Sequence, residues 1–190
     1  MLILAQIIST ALSLYGLCVI AWLILTTLVS FKIINRTQPI VMRATYYLNR
    51  LCGPPLRHIR RIMPKTGQLD LSPIVLLLLL TFAQDFILLL GAGQNPLFAV
   101  INLIAGIIQL FIYALIAQIV LSLLITFNII NRHQPFVSAI YYALEQLVEP
   151  ALAPIRRVLP TFGNIDLSPM VLIFALGFLK KMMFQLMFHL

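Results

Sequence analysis

Long apolar segments alternate along the chain with two stretches that mix polar and apolar residues. The apolar segments cover residues 2–31, 73–93, 97–127 and 169–190, and the first contains no Lys, Arg, Asp or Glu. Each segment reaches or exceeds the roughly 20 residues that an α-helix needs to cross a bilayer. The pattern therefore predicts four transmembrane helices, the first of which is long enough to tilt or to begin outside the hydrocarbon.

The two mixed stretches, residues 32–72 and 128–168, carry a helical period. Pro135 suits the first turn of an amphipathic helix, and Pro150 is expected to end it. Such a helix lies in the membrane interface with its apolar face in the acyl boundary. The apolar positions that share one helical face are Val137, Ile140, Tyr141, Leu144, Leu147 and Val148 in the second stretch, and Val41, Ala44, Leu48, Leu51 and Cys52 in the first.

Each mixed stretch is predicted to contain two further features after its amphipathic helix. A short helix bounded by prolines is expected at residues 56–63 and again at 152–159. The motif Asp-Leu-Ser-Pro at residues 70–73 and 166–169 resembles an N-cap followed by proline at the first helical position, which would start the next span.

These elements are two copies of one module. Residues 31–82 align with residues 127–178 at a constant shift of 96 without a gap, and F-x-I-I-N-R-x-Q-P, I-R-R-x-x-P and G-x-x-D-L-S-P each occur twice at that shift. A fixed-period repeat indicates a duplicated structural unit. The predicted fold is an all-α membrane protein with four transmembrane helices in two tandem repeats, 1–93 and 97–190, each a span, amphipathic interfacial helices and a second span.

Composition and charge support a membrane protein and predict its orientation. Hydrophobic residues make up 62% of the chain and charged residues 9%, against about 25% charged in an ordinary soluble domain. The first mixed stretch has eight Lys and Arg against Asp70 alone, whereas the second balances three Arg against three acids. Since Lys and Arg in short loops stay in the cytoplasm, both stretches are expected there and both termini in the periplasm. The two copies then share one orientation, as parallel repeats do.

The repeated motifs resemble those of the YggT family of small bacterial inner-membrane proteins, whose cyanobacterial and plastid relatives are called YlmG. The resemblance covers the whole chain. It implies a location in the bacterial inner membrane, and it links the protein to osmotic stress and potassium homeostasis, to envelope or septum organisation and, through plastid relatives, to nucleoid distribution and cytochrome assembly. The signature residues are Asn35, Arg36, Gln38, Pro39, Asp70, Ser72 and Pro73, with their copies Asn131, Arg132, Gln134, Pro135, Asp166, Ser168 and Pro169.

Charged residues inside the predicted spans are candidate functional groups. Asp85 is the only acid in a span, and its repeat equivalent is Lys181, next to Lys180. A charge at that depth costs several kcal/mol, so it should face protein or water and have a partner. We expect an Asp85–Lys181 pair, with Lys180 as the competing partner. The pair could pin the two copies in register or line an ion or proton pathway, or the lysines could extend outward from a short fourth span.

Polar residues without charge also recur in the spans. Asn102 and Gln109 are seven residues apart and share a face of the third span. Hydrogen bonds between helices are the default explanation for such residues.

Arginines of the mixed stretches are the second group of candidates. Anionic lipid headgroups are the favoured ligand, at roughly 1 kcal/mol per basic residue. A partner protein ranks next, and nucleic acid is weakest because apolar anchors interrupt the basic residues. Reversing the four candidates of the first stretch, Arg50, Arg57, Arg60 and Arg61, to Glu is expected to abolish function. The same change at Arg156 and Arg157 is expected to have a smaller effect. The candidates are Arg50, Arg57, Arg60, Arg61, Arg156 and Arg157.

Motifs for catalysis are lacking, since Cys18 and Cys52 form no Cys-x-x-Cys and the three histidines have no metal-ligand spacing. The sequence predicts no enzyme activity, cofactor or metal. Two hypotheses remain: a scaffold or assembly factor that presents its cytoplasmic helices to anionic lipids and a partner, or an ion or solute permeation protein. Four spans without an obvious cavity also suggest a homo-oligomer or packing against other membrane proteins.

Overall fold

Four long apolar helices and two amphipathic helices make up the regular structure of the described chain. The computed structural model describes residues 1–62, 70–157 and 166–187. Four of its helices are long and apolar enough to cross a membrane, which confirms the predicted spans. They belong to two compact units, residues 1–103 and 104–190. The helices are α1 (Leu2–Ser30), α2 (Pro39–Ile62), α3 (Ser72–Gly91), α4 (Leu97–Thr126), α5 (Pro135–Arg156) and α6 (Ser168–Met187).

α1 and α4 end in the same way, at positions that correspond in the two repeats. Lys32 and Asn128 adopt the left-handed conformation, with φ of 57° and 56°. The N–H of Lys32 donates to the carbonyl of Val29 at 3.1 Å, and that of Ile33 donates to Leu28 at 3.0 Å. This Schellman pairing satisfies carbonyls at the helix end. It turns the chain into the Asn-Arg-x-Gln-Pro segment, which starts the amphipathic helix.

Each amphipathic helix packs its apolar face on the spans of its own repeat. The first unit has a core of Val19, Trp22, Cys52, Leu56 and Leu76, contributed by α1, α2 and α3. In the second unit the core contains Ala114 and Leu115 of α4 with Val148 and Leu152 of α5. Val19, Cys52 and Leu56 correspond to Leu115, Val148 and Leu152 at the shift of 96. The duplicated sequence therefore builds two equivalent cores. Leu51 and Leu147, predicted on this face, lie exposed at its edge.

The prediction that Pro150 ends the second amphipathic helix is wrong. α5 continues through Pro150 and Pro154 to Arg156, and α2 continues through Pro54 and Pro55 to Ile62. The expected short helices at 56–63 and 152–159 are thus the ends of α2 and α5, while residues 63, 158 and 159 lie outside the described residues. An internal proline removes one hydrogen bond and leaves the carbonyl four residues earlier without its donor, so tertiary contacts must compensate.

Tyr15 provides such compensation in α2. Pro55 has no N–H for the Leu51 carbonyl, and the hydroxyl of Tyr15 donates to that carbonyl at 3.2 Å. In the second repeat, the equivalent of Pro55 is Ala151, which has an N–H, and the equivalent of Tyr15 is Phe111, which has no hydroxyl. The two residues thus change together between the repeats, as expected if the hydroxyl replaces the missing amide.

Replacing Tyr15 by Phe is expected to destabilise the protein by about 0.5–1.5 kcal/mol, because it removes the hydrogen bond to the Leu51 carbonyl. Thermal unfolding in detergent, followed by helical circular dichroism, measures the change. Adding Pro55→Ala should restore stability, since alanine supplies the amide. If the double variant is no more stable than Tyr15→Phe alone, the hydroxyl has another role.

α2 runs across α1. Asn49 and Arg60 are three turns apart on one flank of α2, and both reach Trp22. Leu51, on the opposite flank, reaches Tyr15. Tyr15 lies about 10 Å from Trp22 along α1 and is further from the C-terminal end of that helix. A helix parallel to α1 could not make both sets of contacts. One flank of α2 therefore faces the C-terminal end of α1, and the other faces the middle of α1.

α1 extends past the beginning of α3. A Cβ at Gly16 would lie 3.8 Å from Leu77 Cδ2, so these two residues are level in the antiparallel pair. Ser72, the first residue of α3, is then level with a position close to Trp22, and about 13 Å of α1 remains beyond it. Trp22 thus lies level with the start of α3.

Candidate functional site

A charged clamp lies where α2 ends and α3 begins. Arg60 donates to Asp70 Oδ2 through Nε at 2.8 Å and also through Nη2. Asp70 Oδ1 accepts from the backbone N–H of Ser72 at 3.0 Å and from its hydroxyl at 2.6 Å. Burial raises the pKa of Asp70, but the bonds from Ser72 and Arg60 outweigh it and lower the pKa overall. Asp70 thereby joins the end of α2 to the first turn of α3, with Pro73 following in that turn.

Trp22 forms the other side of this site. Its indole Nε1 donates to Asn49 Oδ1 at 2.6 Å, and the guanidinium of Arg60 lies 5.4 Å from the indole ring, within the range of a cation–π contact. A cavity of about 210 Å³ opens beside them, along the C-terminal part of α1 that continues beyond the level of the start of α3. Its polar lining comes from Thr26, Thr27, Ser30, Arg60 and Asp70.

The second repeat forms an equivalent clamp with an additional acid. Arg156 Nε donates to Asp166 at 2.7 Å, and Nη1 donates to both carboxylate oxygens of Glu149 at 2.8 and 2.7 Å. Burial lowers the pKa of Arg156, but the two carboxylates raise it overall. Asp166 also accepts from the N–H of Ser168 at 2.9 Å, and the bonds from Ser168 and Arg156 lower the pKa of Asp166 against the effect of burial.

The remaining α2 arginines form a separate surface. Arg43, Arg50, Arg57 and Arg61 are spaced by seven, seven and four residues, so they share the face opposite Cys52. All four are exposed, and we refer to them as the arginine stripe. Arg60 is on another flank, held by Asp70. The corresponding residues of α5 are Ala139, Gln146, Ala153 and Arg157.

The charged residues of the spans have partners within their own units. Asn102 Nδ2 donates to Asp85 Oδ2 at 3.2 Å in the first unit. Lys180 Nζ donates to Gln109 Oε1 at 2.6 Å in the second. Both are contacts between helices, whereas Lys181 is exposed. The Asp85–Lys181 pair would join the two units and stays a prediction.

The other signature residues form the turns that lead into α2 and α5. The N–H of Gln38 donates to the Asn35 carbonyl at 3.3 Å, and the equivalent bond from Gln134 to Asn131 is 3.2 Å. Each turn places a proline, Pro39 or Pro135, at the first helical position. The guanidinium of Arg132 lies 4.4 Å from the ring centre of Tyr141. In the first repeat the equivalent arginine, Arg36, is exposed, and the residue equivalent to Tyr141 is Thr45. These residues shape the chain and direct each amphipathic helix onto its spans.

Sequence reasoning missed three members of the site: Trp22, Asn49 and Glu149. Glu149 could have been found from the repeat alignment, which shows that α5 has acids, Glu145 and Glu149, where α2 has the uncharged residues Asn49 and Gly53. Trp22 is the only tryptophan of the chain, but its equivalent Gln118 gave no indication of a shared role. In the described ranges, no three His, Cys, Asp or Glu residues are grouped as a metal site requires.

Comparison with known proteins finds relatives that are themselves uncharacterised. The chain is 36% identical over 140 residues to a Haemophilus influenzae protein, covering 73% of this chain and 72% of that one. It is 31% identical to Escherichia coli YggT over 130 residues, 68% of this chain and 66% of YggT. A Pseudomonas aeruginosa protein is 29% identical over 178 residues, 90% of this chain and 82% of its own length.

The family comparison agrees with the duplication. No solved structure matches the chain. The CCB3/YggT family matches it twice, at residues 1–91 and 97–187. Each match contains a complete set of span, amphipathic helix and span, and the chain belongs to the CCB3/YggT family.

Proposed function

We propose that this protein is a non-catalytic membrane scaffold that organises anionic lipids, and partners held near them, around α2. The observation that carries the proposal is the arginine stripe on the face of α2 opposite its packed core. Helix α2 is held across α1 by that core, so the stripe is a fixed surface of the protein. A fixed row of guanidinium groups beside the spans suits the phosphate layer of an inner membrane.

The position of α2 supports lipid as the ligand. One flank faces the end of the spans and the other faces the bilayer interior, so the stripe between them points sideways, along the membrane plane. Tyr46 and Tyr47 flank it and are 61% and 67% exposed. Tyrosine is typical of the headgroup level, where one end of the ring meets water and the other meets lipid. A soluble polyanion would approach from the cytoplasm and would first meet the flank of α2 that faces the end of the spans.

The difference between the repeats makes α5 an internal control. Three of the four stripe arginines are replaced in α5 by Ala139, Gln146 and Ala153. The cores beneath the two helices are equivalent, so the helices differ mainly in their outer charge. The proposal therefore assigns the anionic-lipid surface to the first repeat, and assigns α5 to structure or to partner contact.

Replacing all four stripe arginines by Gln is expected to remove most of the selectivity for anionic lipid. At about 1 kcal/mol for each basic residue near an anionic surface, the combined loss is about 4 kcal/mol. Spin-labelled phosphatidylglycerol and phosphatidylcholine in reconstituted membranes measure it, as the fraction of each lipid immobilised by the protein. The selectivity should also fall with added salt.

The matched gain-of-charge variant carries Ala139→Arg, Gln146→Arg and Ala153→Arg in α5. It should raise the selectivity for phosphatidylglycerol above that of the wild type. Unchanged selectivity in the variant without the stripe, with its helical content intact, would refute the proposed lipid surface.

A second candidate function is permeation of an ion or solute, consistent with the links of the family to osmotic stress and potassium. The observation that favours it is the pair of polar contacts inside the spans, Asp85 with Asn102 and Lys180 with Gln109. Potassium and proton flux into vesicles containing wild type or Asp85→Asn tests it. Flux that scales with the amount of protein and disappears in the variant would favour permeation over the scaffold.

A further inference from the structure

Arg60 and Arg156 are equivalent residues, but the two repeats surround them differently. In the second repeat, Arg156 uses Nε for Asp166 and Nη1 for Glu149. Arg60 uses Nε and Nη2 for Asp70, and the counterpart of Glu149 is Gly53. Arg156 thus has two carboxylate partners from its own repeat at these positions, whereas Arg60 has one.

The position of the missing carboxylate is open. Gly53 lies on the same flank of α2 as Arg60, two turns earlier, as Glu149 does relative to Arg156. A Cβ at Gly53 would meet no atom of the described residues within 4 Å. The Arg60 side chain is 45% exposed, and it lines the cavity of about 210 Å³ beside Trp22.

We propose that the first repeat binds one phosphate oxyanion at Arg60, in the place that the Glu149 carboxylate occupies in the second repeat. An arginine that already holds one carboxylate can accept a second oxyanion, as Arg156 shows. Guanidinium groups bind phosphate through several parallel hydrogen bonds. Hydroxyl groups of Thr27 and Ser30 line the same cavity and provide further donors for phosphate oxygens, whereas the Thr26 hydroxyl donates to the Trp22 carbonyl at 2.7 Å.

The local charge favours an anion only in the first repeat. Among the described residues, Arg60 binds one acid, Asp70, whereas Arg156 binds both Glu149 and Asp166. The site is level with the start of α3, where the proposed lipid surface places phospholipid phosphates. The ligand is therefore the phosphate group of a phospholipid or a free phosphate ion. The inference rests on the proposed function in one respect: both require α2 to lie at headgroup level.

Trp22 reports on this site directly, because it is the only tryptophan of the chain and contacts Arg60. Purified protein in a zwitterionic detergent is titrated with short-chain phosphatidylglycerol, with inorganic phosphate, or with chloride at matched ionic strength, and Trp22 emission is recorded. We expect a saturable change. Saturation with lipid alone identifies a phospholipid headgroup, and saturation with inorganic phosphate as well identifies a general phosphate site. Absence of any saturable change in the folded wild type overturns the proposal.

Gly53→Glu is the decisive variant, because it introduces the carboxylate of the second repeat. It should lose the saturable change, whereas Gly53→Gln, of the same shape without the charge, should keep it. Gln146→Glu adds the same charge at an exposed position of α5 and should also keep the saturable change in Trp22 emission. An unaltered titration in Gly53→Glu overturns the proposal.

The variant without the arginine stripe separates this site from the proposed lipid surface. The stripe is on another face of α2, so this variant should lose lipid selectivity but keep the Trp22 response. Loss of the response in the stripe variant, together with an unaltered Gly53→Glu, would assign phosphate binding to the stripe and overturn the site at Arg60.

Discussion

Replacing Asp70 by alanine is expected to destabilise the protein by about 2 kcal/mol. The carboxylate accepts the Ser72 N–H at the start of α3, and losing a hydrogen bond to a charged acceptor costs about 1.5–3 kcal/mol. The ion pair with Arg60 adds less than about 1 kcal/mol, because Arg60 and Asp70 are 45% and 34% exposed and water screens them. Thermal unfolding in detergent should show a Tm lower by about 4–8 °C.

Two further variants separate the contributions at this clamp. Asp70→Asn keeps an acceptor for the Ser72 amide but loses the charge, so its stability should lie between wild type and alanine. Asp166→Ala in the second repeat should cost less than Asp70→Ala, because Glu149 still binds Arg156. Equal losses in both repeats would show that Glu149 does not support its arginine.

The same clamp predicts a dependence of stability on acid. The pKa of Asp70 is lowered in the folded protein, so its contribution is complete above the ordinary carboxyl value of about 3.9 and is lost as the pH falls through the lowered value. The destabilisation caused by Asp70→Ala should therefore be full at neutral pH and shrink in strong acid. A destabilisation that did not change with pH would mean that the charge of Asp70 makes no contribution.

The apolar pattern was sufficient to predict the spans, because a span depends on local composition, and the gap-free repeat at a shift of 96 was sufficient to predict the duplication. The four apolar segments agree with α1, α3, α4 and α6 to within a few residues among the described positions. The apolar face of α2 also follows from its spacing, since Val41 and Cys52 are buried as predicted. These properties are decided within a few turns of helix and need no knowledge of distant contacts.

The course of the helices through their prolines could not be predicted in this way. α2 continues past Pro55, and the Leu51 carbonyl that Pro55 leaves without an amide accepts the hydroxyl of Tyr15, 36 residues before Leu51 in the chain. The pairing of Arg60 similarly depends on how α2 is placed against Trp22 and Asp70. Adjacent arginines such as Arg60 and Arg61 look alike in the sequence, but the fold places one in the clamp and the other in the stripe.

Gly91 lies at a close approach of α1 and α3, and replacing it by alanine is expected to destabilise the protein. A Cβ at this position would lie 2.5 Å from the Cβ of Ala5, too close for two carbon atoms. Neither methyl group can rotate away, so the helices must separate, and overpacking of this kind costs about 1–3 kcal/mol. Small residues commonly permit such contacts between membrane helices. Thermal unfolding in detergent measures the loss.

A compensating variant removes the opposing methyl group of Ala5 on α1. With Ala5→Gly added, the remaining atoms near a Cβ at position 91 are Leu2 Cα at 3.6 Å and Met1 O at 3.7 Å, which are ordinary contacts. The double variant should therefore recover most of the stability lost by Gly91→Ala. Gly16→Ala is the matched single control, since its Cβ would meet only the flexible Leu77 side chain at 3.8 Å, and it should be tolerated. If Gly91→Ala is as stable as Gly16→Ala, α1 and α3 are not held in close contact at Gly91.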